Sequence, residues 1–285
     1  MTGGSAVLVV GATGTTGSRL TARLTAQGVR VKAAGRSAAD VAGAPGVRFD
    51  WYDPAGHEDA LRGADRVYLV PPVGATEPAA IMLPFLERAR AAGVRRAVLL
   101  SSSALPSGGP AAGRVHAVLP ELFDEWAVLR PSWFMQNLTG DHVHARSIRE
   151  SGEILTATGG GRVGFVDADD IAAVAARGLT DERAPDTDLV VTGPEALSYA
   201  DAAAVLSEET GRAVVHRPLS YEQMRDRLVR EAPHMPPAFA EVLAGLDAAI
   251  AEGAEDRTTD TVERVTGRPP RGFRTHVRRN AARLR

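Results

Sequence analysis

The residues whose types and spacing most clearly point to chemistry form one loop, Gly11-Ala12-Thr13-Gly14-Thr15-Thr16-Gly17. It follows the apolar run Val7-Leu8-Val9-Val10 and precedes a helical pattern opening near Ser18. In such a loop Gly11 permits a tight turn, Gly14 lets backbone approach a diphosphate, and Gly17 lets helix and strand pack closely. Backbone N–H groups at a helix N-terminus favour anionic phosphates, and the hydroxyls of Thr13, Thr15 and Thr16 add donors. A glycine triplet alone is weak in a chain with 29 glycines; the strand–loop–helix context gives it force. The loop is read as a dinucleotide site.

The end of the second strand selects among dinucleotides. NAD sites usually carry Asp or Glu there, accepting a hydrogen bond from the ribose 2′-hydroxyl. This strand ends Ala33-Ala34-Gly35-Arg36-Ser37, with no carboxylate. Arg36 instead offers a forked cation suited to a 2′-phosphate. The expected cofactor is therefore NADP(H), with NADPH preferred over NADH. Asp50, just after the third strand, has two readings: an acceptor for the adenine amino group, with Trp51 or Tyr52 nearby, or an ordinary turn residue.

The elements that must hold these residues follow from apolar periodicity. Val29 to Ala34, Val47-Arg48-Phe49, Val67-Tyr68-Leu69-Val70, Ala97-Val98-Leu99-Leu100, Trp126 to Arg130 and Leu189-Val190-Val191-Thr192 read as further strands. Helices are expected at Ser18 to Gln27, Glu77 to Ala92 and Ile171 to Leu179. Alternating strands and helices imply right-handed βαβ units and a Rossmann-type, doubly wound parallel sheet of the α/β class. From Ser198 the pattern is mostly helical, at Tyr199 to Thr210, Tyr221 to Glu231, Ala238 to Glu252 and Asp260 to Thr266. The expected organisation is an NAD(P)-binding domain over 1–155, its sheet completed by about 165–193, and a smaller helix-rich, substrate-side C-terminal lobe over 194–285.

Composition narrows the class. The 285 residues are 44% hydrophobic and 24% charged, with 33 Lys plus Arg against 35 Asp plus Glu and a formal charge of −2. That balance and the lack of a zinc-finger or aromatic RNA-binding signature point away from nucleic acid. There is no cysteine, so disulfides, thiolate metal sites and cysteine nucleophiles are excluded. The beginning of the chain lacks a signal-peptide pattern, and no apolar run is long enough to span a bilayer. A cytoplasmic protein binding small molecules, without a membrane or nucleic-acid partner, is expected; monomer and homodimer stay equally open. His142 and His144, two residues apart, have a poor helical chelate spacing, and no metal is assigned.

With these residues placed, the chain resembles the NmrA-like members of the atypical short-chain dehydrogenase/reductase superfamily, and within them the actinobacterial relatives of the ergot-alkaloid festuclavine/agroclavine dehydrogenases. The resemblance runs over nearly the full length. It rests on the glycine loop, Val70-Pro71-Pro72, Leu129-Arg130-Pro131-Ser132-Trp133-Phe134-Met135-Gln136-Asn137, Phe165-Val166-Asp167-Ala168-Asp169-Asp170-Ile171-Ala172, Thr192-Gly193-Pro194-Glu195-Ala196-Leu197-Ser198 and Thr266-Gly267-Arg268-Pro269-Pro270. It implies that Val70, Pro71 and Pro72, with Ser101, Ser102 and Ser103, line the ribose and nicotinamide side of the cofactor. It also implies that Pro131 to Gln136 wall the substrate, with Trp133, Phe134 and Gln136 in its pocket; packing between lobes is the equal alternative for the aromatic cluster. Asp167 to Asp170 read as caps of the helix near Ile171.

The resemblance breaks at catalysis. Typical superfamily members use a Tyr-x-x-x-Lys pair after the fifth strand, yet between Ser101 and Pro131 there is neither Tyr nor Lys. His116 falls in the corresponding helix and is either an acid near neutral pH or a surface or capping histidine; Ser103 is a candidate to hold a substrate oxygen. A reductase without a strong acid works on substrates that take hydride readily, so a conjugated, quinone-like or iminium-type small molecule is expected. The alternative is a non-catalytic, NmrA-like dinucleotide-binding redox sensor, for which the arginines at 271, 274, 278, 279, 283 and 285 offer either a partner-binding face or a solvated helix end.

Overall fold

Ala6-Val7-Leu8-Val9-Val10 is apolar, rich in β-branched residues and buried at every position, as a central strand covered on both faces must be. In the computed structural model, which describes residues 5–231 and 236–284, it opens a regular alternation. The first part of the chain runs β1 (Ala6–Val10), α1 (Thr15–Ala26), β2 (Val31–Gly35), β3 (Gly46–Arg48), α2 (His57–Leu61), β4 (Ala64–Leu69), α3 (Pro78–Ala91), β5 (Arg96–Leu100), α4 (Ala112–Leu122) and β6 (Glu125–Pro131). Then come α5 (Val143–Ser151), β7 (Glu153–Thr156), β8 (Arg162–Val163), α6 (Ala168–Thr180) and β9 (Thr187–Val191). The rest is β10 (Leu197–Ser198), α7 (Tyr199–Thr210), β11 (Val215–Pro218), α8 (Tyr221–Glu231), α9 (Pro237–Ala251), α10 (Thr261–Thr266) and α11 (Phe273–Asn280).

Contacts divide the chain into two units. Unit 1 takes the described residues up to Pro131 together with Ala168–Val190, and unit 2 takes Ser132–Asp167 with the described residues from Val191 onward. The first boundary thus falls after Pro131, where the sequence alone places it near 155. Segment 132–167 is bound by α5, β7 and their partners to the C-terminal elements, which periodicity along the chain does not reveal.

Unit 1 carries a seven-stranded sheet ordered β3-β2-β1-β4-β5-β6-β9. The pairs from β3 to β6 are parallel. Trp126 meets Asp186, and Ser132 meets Val191, so β9 runs the same way beside β6. This is the doubly wound order, and its reversal between β1 and β4 is where such sheets bind ligands, beyond the strands' carboxyl ends. One face is filled by Leu8, Leu69, Met82, Phe85, Leu86, Leu99 and Leu119 from strands, α3 and α4. On the other, α6 approaches so closely that a β-carbon on Gly178 would lie 3.5 Å from Val98 and 3.8 Å from Ala127.

Arg96, fully buried at the start of β5, ties this unit together. Its Nε and Nη2 donate to the Glu125 carboxylate at 2.9 and 2.7 Å. Its Nη1 and Nη2 donate to the carbonyls of Gly178, Leu179, Asp181 and Glu182, the orphan acceptors where α6 ends.

Unit 2 has its own core, with Met135, Phe165, Tyr199, Leu206 and Phe273 at its centre. It contains two small sheets that the sequence does not announce: β11 pairs parallel with β7, and β10 antiparallel with β8. Asp167, with no solvent exposure, accepts from Gln136 Nε2, Arg271 Nη1 and His276 Nδ1. No helix among the described residues is long and apolar enough to cross a membrane.

Candidate functional site

The glycine loop sits at the carboxyl end of β1, beside the strand-order reversal. Gly11 has φ +72°, a left-handed conformation natural to glycine, and its N–H donates to Ala34 O. The turn closes through Gly14 N to Gly11 O at 2.9 Å. Gly14 is then the N-cap of α1, where no side chain caps the helix. The first helical N–H groups, those of Thr15, Thr16 and Gly17, are consequently left to an external acceptor. A β-carbon on Gly17 would lie 2.1 Å from Gly11 O, so only glycine lets helix and loop meet. A β-carbon on Gly14 would lie 3.2 Å from the same oxygen. Thr13 and Thr15 are exposed. Thr16 is buried and accepts at 3.0 Å from Tyr68 Oη, whose phenol burial pushes far above its ordinary range and so keeps protonated. This cradle fits a diphosphate: turned N–H groups at a helix start that no side chain caps.

Arg36 follows β2, exposed, with no hydrogen bond or ion pair among the described residues. Asp50, after β3, accepts from Tyr52 N at 3.0 Å through Oδ1, and its carbonyl meets His57 Nε2 at 2.8 Å. It is therefore a turn-forming residue as well as a candidate acceptor. Val70 follows β4; its carbonyl accepts from Trp51 Nε1 at 2.9 Å, and its side chain stands 3.3 Å from the β-carbon position of Gly11. Pro71 is half-buried and Pro72 buried. Ser101 and Ser102 follow β5; Ser101 Oγ is buried with no hydrogen-bond partner, and Ser102 Oγ accepts from Ala104 N at 3.3 Å. All of these residues follow strands of one parallel sheet and gather at its carboxyl edge.

The two residues expected in catalysis are held differently. Ser103 is 3% exposed; its N–H donates to Pro131 O, and its carbonyl accepts from Arg130 Nη2. Arg130 also donates to Asp188 at 2.7 Å, so the serine segment is clamped from β6 and β9. His116 lies on the buried face of α4 beside Trp126, 5% exposed, with Nδ1 unpartnered. Burial lowers its pKa, with Asp188 raising it and Arg130 lowering it by smaller amounts. A surface or capping reading of His116 is thus overturned, and a neutral imidazole in this packing is a poor proton donor at neutral pH.

Unit 2 holds the residues expected to line the substrate, and it separates them. Gln136 is engaged with Asp167, and Phe134 bridges to Val166 beside it. Trp133 alone of the three lines a cavity of about 420 Å³, shared with Asn137, His142, His144, Met224, Leu243 and Asp247 among others. His142 Nδ1 accepts from His144 N at the start of α5. Burial takes His142 down to about 4 and His144 well below its ordinary value, so both are neutral at pH 7. Asp247 on α9 is 6% exposed and accepts from Ala157 N at 2.9 Å; burial raises its pKa to about 6. Asp247 is absent from the sequence-based candidates, yet it was readable as an acid on the buried stripe Ala240, Ala244, Asp247, Ile250. Three arginines of the tail are paired, Arg271 with Asp167, and Arg274 and Arg278 with Glu209; Arg279 and Arg283 are exposed, and Arg285 lies outside the described residues. Among the described residues, no group of three or more His, Asp or Glu is arranged to hold a metal.

Comparisons with known proteins agree with this geometry. A family model described as NAD(P)H-binding matches residues 11–125. The chain is 44% identical over 276 residues to the uncharacterized oxidoreductase YesF of Bacillus subtilis, covering 97% of this chain and 95% of that one. It is 36% identical over 286 residues to festuclavine dehydrogenase of Aspergillus fumigatus, covering 97% and 98%. Among solved structures, Citrobacter sp. triphenylmethane reductase complexed with NADP(H) superposes with a TM-score of 0.78 over 96% of this chain and 99% of that one, at 23% identity, a likeness of fold.

Proposed function

Because the chain belongs to the NAD(P)H-binding, NmrA-like oxidoreductase family of the festuclavine and agroclavine dehydrogenases, we propose that it is an NADPH-dependent reductase of a small conjugated, quinone-like or iminium-type compound. The observation that carries the cofactor choice is the uncommitted Arg36 at the end of a β2 that offers no carboxylate. In this reading the α1 amides and the Thr13 and Thr15 hydroxyls hold the diphosphate, and Arg36 takes the 2′-phosphate. Asp50 accepts from the adenine amino group through its remaining lone pairs. Val70, Pro71, Pro72, Ser101 and Ser102 line the nicotinamide side and keep water from it. When bound, the reduced nicotinamide supplies a hydride to an electrophilic carbon.

The substrate class follows from the groups that could move a proton. Lys32 is the only lysine in the chain; it lies on β2, with Nζ donating to the carbonyls of Asp59 and Arg62 at 2.7 and 3.0 Å. No Tyr-x-x-x-Lys pair can therefore form anywhere in the sequence. Tyr68 and Tyr199 are buried with raised pKa values, and His116 is neutral in its packing. Such a protein reduces acceptors that need no strong acid, either because they already carry positive charge or because conjugation spreads the developing negative charge.

The test is calorimetric binding of NADPH and NADH, with loss of the reduced-nicotinamide absorbance on iminium, quinone and enone panels. NADPH is expected to bind at least tenfold more tightly than NADH. Arg36→Ala is expected to lose about tenfold of that preference, the scale of one exposed charge-assisted contact. Equal affinities in the parent protein would remove the cofactor assignment. Tight NADPH binding with no turnover on any panel would replace the reductase reading with a sensor.

A further inference from the structure

Asp247 is a buried carboxylate with no counter-ion among the described residues. A carboxylate withdrawn from water is stabilised by cations or several donors, and without them it holds its proton to higher pH; the one hydrogen bond of Asp247 is from Ala157 N. Its second oxygen has no donor, and no Arg, Lys or His stands within salt-bridge distance among the described residues. The other charged residues around the cavity are paired or exposed. Arg227 donates through Nε to both oxygens of Glu231 and through Nη1 to Leu155 O. Asp141 and Arg146, exposed residues of the cavity lining, carry opposite charges. His142 and His144 are neutral, and His144 Nδ1 is buried without a partner. Together with this acid, the cavity is lined by Trp133 and the apolar residues Met224, Leu228, Leu243 and Leu246. Its volume, about 420 Å³, suits a small organic ligand.

We infer that this cavity in unit 2 binds an organic cation, with Asp247 as its counter-ion and Trp133 offering its aromatic face. A cation beside an aromatic face and an unpaired carboxylate gains from both, and most where water is excluded. A neutral molecule of the same shape gains only the apolar contacts, so Asp247 is a specificity-determining residue. The inference deepens the reductase reading by naming the charge of the compound bound, and rests on it only in taking that cation for a substrate.

The test uses the full chain saturated with NADP⁺, which permits binding without turnover. An N-methyl dihydroisoquinolinium ion and its neutral carbon isostere, methyl dihydronaphthalene, are titrated by calorimetry. The cation is expected to bind at least tenfold more tightly than the isostere. Asp247→Asn, which keeps an oxygen for Ala157 N, is expected to erase that difference while leaving the isostere's affinity unchanged; Asp247→Glu, which keeps the charge, is expected to retain most of it. Equal binding of the two probes by the parent protein overturns the inference. So does a preference that survives in Asp247→Asn, or an equal loss of both probes in the Asn and Glu variants, which would mark Asp247 as structural. Failure of NADPH to bind would instead overturn the reductase reading and leave the cation preference standing.

Discussion

Gly17→Ala probes the cofactor loop with a single methyl group. The added carbon would sit 2.1 Å from Gly11 O, 2.8 Å from Gly11 C and 3.0 Å from Ala12 Cα, where ordinary contact begins at 3.4 Å. Both neighbours are backbone, so no side chain can swing aside. The start of α1 must retreat from the loop by about 1.3 Å to relieve the closest contact. Overpacking of that kind costs about 1–3 kcal/mol of stability. The same retreat carries the α1 amides away from the phosphates, stretching bonds of about 2.9 Å beyond useful length. Losing two such charge-assisted bonds, discounted for partial readjustment, weakens NADPH by about 100-fold, or roughly 2.7 kcal/mol. The assay pairs calorimetric NADPH titration with thermal melting of the cofactor-free protein. Gly245→Ala on α9 is the control: nothing lies within 4 Å of its added carbon, so it should leave NADPH binding alone and raise stability by up to about 1 kcal/mol. Wild-type NADPH affinity in Gly17→Ala would refute the assignment of this loop as the diphosphate cradle.

Two further perturbations address packing and charge. Arg96→Met should destabilise the fold by about 3–5 kcal/mol in urea unfolding, because it strands Glu125 and several carbonyls at the end of α6; a loss under about 1 kcal/mol would show that these bonds are dispensable. Asp247 titrates near 6 when folded against an ordinary 3.8, so between those values the folded state holds the extra proton and stability falls as pH rises. His142, lowered from 6.5 to about 4, and His144 work in the opposite direction, favouring the folded state as pH rises. Comparing Asp247→Asn with the parent cancels the histidines: the variant's relative stability should grow by about 2–3 kcal/mol from pH 4 to pH 7. A pH-independent difference would refute the burial of an ionisable Asp247.

The cofactor end of unit 1 was legible because local rules govern it. A β-branched run, a glycine forced to φ +72° and a helix start without a side-chain cap are properties of adjacent residues. Arg36 stands out in the sequence by what its position lacks, a carboxylate at the end of β2. Unit 2 was legible only as helices. Its strands β8 and β10 have two residues each, too short for any period, and β11 is mostly exposed. Gln136 read as a pocket residue because its partner Asp167 stands 31 positions away. His116 illustrates the same limit, since Trp126, Arg130 and Asp188 give it its surroundings. Asp247 was overlooked for a different reason: its helix was read as a lobe filler, though an acid on an apolar stripe is itself a signal.

The order in which the chain leaves the ribosome interacts with how unit 1 is assembled. When β6 has emerged, six of the seven strands exist, yet β9 and the whole of α6 are still to come. Arg96 waits 82 to 86 residues for the carbonyls that will satisfy it, and the segment that becomes part of unit 2 is made in the interval. The nascent NAD(P)H-binding unit therefore presents an open sheet edge and a guanidinium paired with Glu125 alone until residue 190 has cleared the exit tunnel. A gene fragment ending at Pro131 would encode that unfinished intermediate as its final product.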